Sequence, residues 1–280
     1  MPQFSTLDLS HVPCLELLSE GFSNLPKLFE INISGCGVEQ LLDLSHNNLT
    51  TFNITFGNCP SLEGLYLNNN NLTQSALFAD LTSLRHLHLQ SNGKLELTEH
   101  TFEALKHLET LDLSYNGLEI LSPHLFGYKQ VDTQGLYEYL PMAHMRWLNL
   151  NGNKLQQLDS RTFEKLAFLE ELCLSNNVLR VLPKGLFVPI QNLKVLDMRH
   201  NQLTEISSDI LKSLNNAKDL LINYNQLTTL PDLNGTLPQL QRMGIDGNPW
   251  ERASFAPLEQ WLIARKIQYL TDDYEFYSSD

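Results

Sequence analysis

Apolar residues fall along the chain in one recurring order: apolar, two free positions, apolar, free, apolar, two free positions, asparagine, free, apolar. The asparagine of this string stands at Asn47, Asn70, Asn92, Asn116, Asn153, Asn177, Asn201, Asn225 and Asn248, and in most units a leucine follows two residues later. Successive asparagines are 23, 22, 24, 37, 24, 24, 24 and 23 residues apart. A fixed period in this range means that each unit is one coil of a solenoid, unable to bury its apolar side except against its neighbours. An earlier unit reads Leu28, Ile31, Ile33, Cys36 and Val38, with cysteine in the asparagine slot. Leu7, Leu9 and Val12 belong to a still earlier, degenerate one.

Each slot has a physical reason. The apolar-free-apolar centre is a short strand that sends two side chains inward, while the residues between and beside them face solvent. The asparagine stands where the chain bends off the strand, and its amide is suited to pairing backbone groups that would otherwise be buried without partners. Phe102, Phe126, Phe163 and Phe187 recur downstream of the strands and are expected to fill the half of the core away from the sheet. The segment Leu182-Pro183-Lys184-Gly185-Leu186-Phe187 displays this half most fully.

The consensus LxxLxLxxNxLxxLPxxxF in 24-residue units resembles the typical extracellular leucine-rich repeat class, shared by Toll-like receptor ectodomains, small leucine-rich proteoglycans and insect leucine-rich immune proteins. The resemblance implies an α/β repeat solenoid, a horseshoe with a concave parallel β-sheet, an irregular or 3-10 convex side and a C-terminal cap helix. It divides the chain into a degenerate N-terminal repeat (1–27), repeats over 28–250, a cap helix within 251–270 and an acidic tail (271–280). Gly247-Asn248-Pro249-Trp250, followed by Leu258, Trp261, Leu262 and Ile263, resembles the NPW-type cap of that class. Cysteines normally follow that tryptophan in the class, whereas no cysteine occurs here after Cys173, so the cap is expected to hold by packing alone. No cysteine-rich segment precedes the first repeat, and the chain reads as a mature fragment or an incomplete gene product.

Two intervals break the period. Cys36 to Asn47 is too short for a coil, so one of those two units must be out of register. Asn116 to Asn153 is too long, and the surplus falls in 127–139, a polar insertion with three tyrosines. Inserted loops of solenoids are either unstructured bulges or contact-bearing elements held at both ends, and the sequence leaves both open.

Charge narrows the partners. Lys plus Arg number 19 against 32 Asp plus Glu, a formal net charge of −13, so a phosphate-binding surface would have to form against the chain's own field. Nucleic acid is not an expected partner. No apolar run reaches membrane-spanning length, and the first twenty residues lack a basic, then unbroken hydrophobic, leader.

Catalysis is not expected either. The string LDLSH, at 7–11 and again at 42–46, places Asp43, Ser45 and His46 together, but Asp43 and Ser45 share one outer face with no buried relay between them, so the repetition is read as two copies of the repeat. Phosphate-binding, hydrolase and zinc-protease motifs are missing. His86 and His88 point outward from one strand, with Tyr66 and Asp112 in the adjacent slots; without a third strong ligand they are a polar binding surface rather than a metal site. No cofactor or metal is implied. Cys173 takes an outward slot and is expected to be an exposed thiol, while Cys14 and Cys36 take inward slots as small core residues or as a bridged pair.

Five glycosylation sequons begin at Asn32, Asn48, Asn53, Asn71 and Asn234. Large recognition-type side chains gather at outward slots, Tyr66, His86, His88, Tyr115 and Trp147 in the middle units and Arg199, His200 and Tyr224 further along. These eight are the candidate ligand-binding residues, since Tyr, Trp and Arg are over-represented at binding hot spots; scattered surface aromatics are the alternative account. The reading is a non-enzymatic, secreted or cell-surface module of innate-immune type that binds a protein ligand or co-receptor, with no membrane span in this chain and its oligomeric state left open. A cell-adhesion or matrix protein, or a cytosolic adaptor, is the alternative.

Overall fold

The computed structural model describes residues 6–8, 25, 30–32, 40–49, 54–55, 62–73, 78, 81–93, 95–127, 129–131, 137–139 and 142–270. They are strands β1 (Thr6–Asp8), β2 (Glu30–Asn32), β3 (Gln40–Asp43), β4 (Ile54–Thr55), β5 (Leu62–Tyr66), β6 (His86–His88), β7 (Thr110–Asp112), β8 (Lys129–Val131), β9 (Tyr137–Tyr139), β10 (Trp147–Asn149), β11 (Glu171–Cys173), β12 (Val195–Asp197), β13 (Asp219–Leu221), β14 (Arg242–Gly244) and β15 (Gln268–Tyr269), with helices α1 (Ser208–Ser213) and α2 (Arg252–Ala264). The chain packs into two compact units, one of residues 1–118 and 124–145, the other of 119–123 and 146–280. Among the described residues no helix is long and apolar enough to cross a membrane.

Both units are leucine-rich repeat solenoid. In the first, β3, β5, β6 and β7 form a parallel sheet in chain order. In the second, β10 through β15 do the same. The central leucines stand in register, Leu65 with Leu87 and Leu111, and Leu172 with Leu148 and Leu196, and all are fully buried. Phe102, Phe126, Phe163 and Phe187 are among the largest buried side chains, and Phe163 stacks on Phe187 with centroids 6.5 Å apart.

The asparagine column joins the coils. Asn177 Nδ2 donates to the carbonyls of Leu174 in its own coil and Leu150 in the preceding one, and its Oδ1 accepts from Leu155 N–H at 3.0 Å. Asn92, Asn201 and Asn225 repeat the arrangement. One amide thus satisfies backbone groups on both sides of a coil boundary, where no water reaches them.

The short interval has a structural resolution. Strand β2 pairs with β1 and β4 in a separate three-stranded sheet, while β3 is an edge strand of another and pairs with β5, so these two repeats belong to different sheets. The insertion contains an antiparallel hairpin, β8 on β9, with Lys129 opposite Tyr139 and Val131 opposite Tyr137. Helix α1 replaces the irregular return path in one coil; it starts at Ser207, whose hydroxyl accepts from Ile210 N–H. After α2 the chain returns as β15 alongside β14, an element the repeat pattern does not signal. Cys14, Cys36, Cys59, Asn53 and the acidic tail lie outside the described residues.

Candidate functional site

The candidate residues separate into two columns. The first is the outward face of the strands. In the first unit Tyr66, His88 and Asp112 are direct neighbours across β5, β6 and β7. The Tyr66 and His88 rings stack, centroids 4.6 Å apart and 18° from parallel. His86 Nδ1 lies 2.9 Å from Thr110 Oγ1. All three rings are half-buried, carried on strands about 4.8 Å apart, a spacing that lets Tyr66 and His88 lie face to face.

The second column is the residue just before each ladder asparagine. His46, Asn69, Ser91, Tyr115, Asn176, His200 and Tyr224 all occupy it, each with φ between 51° and 60°. The chain must turn left-handed there to bring the asparagine inward, a conformation that costs an ordinary residue roughly 1–2 kcal/mol. Tyr115, His200 and Tyr224 therefore project from the rim where the strand ends, not from the strand face. Tyr115 and Tyr224 are the most exposed of the eight candidates, at 55% and 44%. In the second unit the rings of His200 and Tyr224 stack at 4.5 Å and 5°.

Two candidates are not exposed. Trp147 retains 6% of its surface and Arg199 8%. Trp147 lies beside Glu171 of the next strand, where close lateral packing removes a large ring from water. Arg199 folds back onto Asp197, with Nε 3.0 Å from Oδ1 and Nη2 2.9 Å from Oδ2. Side-chain order along the sequence could not reveal this fork, because it depends on Arg199 curling over its own strand.

Cys173 also departs from expectation. It is 2% exposed, with Sγ 3.0 Å from Ser175 Oγ and 3.7 Å from Asp197 Oδ2. Burial, reinforced by the Asp197 charge, pushes its thiol far above the ordinary range, so the neutral thiol persists and the site is inert. Glu171 sits in the same region, and burial together with the neighbouring Glu170 raises its carboxyl. Asp219 is forked by Arg242 across β13 and β14. Val195, Leu221 and Leu270 form a buried apolar cluster there.

The string at 42–46 has a local cause. Asp43 Oδ1 accepts from Ser45 N–H, and the same turn is made by Asp112 with Ser114, Asn149 with Asn151 and Asp197 with Arg199. The short polar side chain closes the bend that leads into the left-handed residue. Among the sequons, Asn48, Asn71 and Asn234 are exposed; Asn32 lies on β2.

A model of the leucine rich repeat family matches residues 82–128, 143–203 and 191–249. The adenylate cyclase of Schizosaccharomyces pombe is 41% identical over 78 residues, 28% of this chain and 5% of that protein. Toll-like receptor 3 of Boselaphus tragocamelus is 30% identical over 151 residues, 51% of this chain and 15% of the receptor. Lumican of Oryctolagus cuniculus is 33% identical over 133 residues, 47% of this chain and 59% of lumican. The matches thus span less than two thirds of each relative. Among solved structures, that of a Toll-like receptor 13 complex with single-stranded RNA superposes with a TM-score of 0.63 at 25% identity, covering 88% of this chain and 36% of the receptor.

Proposed function

The chain belongs to the leucine-rich repeat family, and on that premise we propose that it is an extracellular, non-enzymatic recognition module that binds a protein ligand or co-receptor in an innate-immune setting. The observation that carries this reading is the pair of ring stacks, Tyr66 on His88 and His200 on Tyr224, one in each unit. Each presents a flat, half-exposed aromatic surface with a polar edge, pre-ordered by its strand or turn. Such surfaces contribute large contact area for little lost rotamer freedom. Similarity to Toll-like receptor 3 supports the immune setting. The net charge of −13 disfavours nucleic acid as the ligand; the RNA in the Toll-like receptor 13 complex is a property of that protein.

The candidate contacts are Tyr66, His86, His88 and Tyr115 in the first unit and His200 and Tyr224 in the second. Trp147 and Arg199, both buried, drop out of the contact set. The test is capture of partners from extracellular fluid by the secreted protein, its Tyr66→Ala/Tyr115→Ala variant and its His200→Ala/Tyr224→Ala variant. At least one double variant is expected to lose about 1–3 kcal/mol of affinity per hot-spot ring, while Lys184→Ala on an exposed turn keeps it. Full capture by both variants refutes the reading. Similarity to lumican favours a matrix reading as the second choice, and a collagenous or proteoglycan partner in the same capture would select it.

A further inference from the structure

We infer that the cleft between the segment 230–234 and helix α2 is the seat of an N-linked carbohydrate carried by Asn234, whose first sugars pack against the protein instead of extending into water. The inference rests on the extracellular reading above. The cleft has a volume of about 350 Å³, and its walls include Pro231, Asp232 and Asn234 on one side and Ser254, Pro257 and Trp261 on the other. That volume is at the lower bound for small-ligand clefts, about 300 Å³, which suits one or two sugar rings. The wall chemistry fits as well. Indole and pyrrolidine rings offer apolar planes for the C–H face of a pyranose, and Asp232 and Ser254 offer partners for its hydroxyls.

The sequon Asn234-Gly235-Thr236 is built into the rim of this cleft. Asn234 is exposed; its backbone N–H donates to Asp232 Oδ1 at 3.0 Å, and among the described residues no hydrogen bond engages its carboxamide. Gly235 turns with φ +75° toward open space. Thr236, by contrast, is 1% exposed and donates from Oγ1 to Leu233 O at 2.8 Å. The folded turn therefore hides the threonine that a glycosylating enzyme must read, so the transfer, in which Asn234 Nδ2 displaces the pyrophosphate of a lipid-linked oligosaccharide and gives up one proton as the N-glycosidic bond forms, has to precede the closing of this coil. When α2 then folds into place, the attached sugar is already at the cleft. Arg265 ties the far end of α2 to the coil by donating to Pro238 O at 3.1 Å, with its guanidinium 5.1 Å from the Trp261 ring centre. A short tether holds a group at millimolar effective concentration, so a contact with a millimolar dissociation constant, measurable with concentrated free sugar but too weak to gather dilute sugar, is enough to seat the attached one.

Two measurements test this. In the first, glycan-free protein made in bacteria is titrated with N,N′-diacetylchitobiose while the indole and backbone N–H resonances are followed. The Trp261 indole and the Gly235 backbone amide at the rim are expected to shift saturably with a dissociation constant in the millimolar range, and Trp261→Leu to abolish the Gly235 shift; no shift at tens of millimolar overturns the proposal. In the second, protein secreted by glycosylating cells is mapped for occupancy, then trimmed enzymatically. Asn234 is expected to be occupied, with trimming moving the Trp261 resonance and lowering the Tm. Occupancy at Asn48 or Asn71 with Asn234 bare, or an unmoved Trp261 resonance, overturns the seated Asn234 sugar and leaves the extracellular reading standing. An unglycosylated, retained chain overturns the extracellular reading and the tethered sugar together, and the titration then decides whether the cleft itself binds sugar.

Discussion

The rings of His200 and Tyr224 lie 4.5 Å apart and 5° from parallel, on backbones with φ of 52° and 53°. The left-handed turn that delivers each neighbouring asparagine to the ladder is what lines these rings up. The next residue in the column is Gly247, with φ +68°, where an added Cβ would stand 2.4 Å from Tyr224 Cδ1.

Gly247→Ala is expected to destabilise by roughly 1–2 kcal/mol for the left-handed backbone and further by displacing the tyrosine. In a Tyr224→Ala background the second part should vanish, leaving only the backbone cost. A double-mutant cycle by denaturant unfolding reads the coupling, and additivity of the two changes would contradict the ring position.

Asn177 and its neighbour separate ladder from turn. Asn177→Ala orphans carbonyls in two coils and the Leu155 N–H, each worth about 1–3 kcal/mol when buried unpaired. Asn176→Gly should be close to neutral, because glycine adopts the φ of 51° found there without strain. Equal losses of Tm would refute the assignment.

The Asp197 side chain is fully buried and its Arg199 partner nearly so. Arg199→Ala leaves a buried carboxylate without its cation, and a cost of about 3–5 kcal/mol follows. Arg199→Lys should recover only part, since an ammonium cannot make the two parallel bonds. The Asp197→Asn/Arg199→Met pair should lose less than Arg199→Ala; chemical denaturation of the three variants checks the order.

Glu171 sets a pH dependence. Its folded carboxyl binds a proton more tightly than the unfolded one, whose ordinary value is 4.5. Its contribution is therefore fully present below that value and is lost as pH rises through the raised folded value. Glu171→Gln should melt higher than the parent at pH 7, with the gap closing toward pH 4. A constant gap across this range would show that the group titrates normally.

Cys173 should resist iodoacetamide in the native protein and react only once denaturant opens the second unit, as peptide mapping of the labelled site would report. Modification at the native state's full rate would place the thiol at the surface.

The period of the apolar residues and the asparagine was enough to determine the coil. Inward leucines, the phenylalanine column, the ladder and the neighbour relation of Tyr66, His88 and Asp112 all follow from spacing, since a strand alternates its faces and a solenoid repeats them. Four outcomes depended on contacts between residues far from that arithmetic. Trp147, Cys173 and Arg199 occupy outward slots yet are buried, the first two beside residues of the adjacent strand and Arg199 by folding back onto Asp197 of its own strand. His200 and Tyr224 meet because a left-handed turn, not a strand, carries them. The 127–139 insertion holds a hairpin, and the 36–47 interval is settled by pairing into separate sheets. Slot and period are written in the chain one residue at a time, whereas exposure belongs to a side chain and its neighbours from other coils, and only the folded packing brings those together.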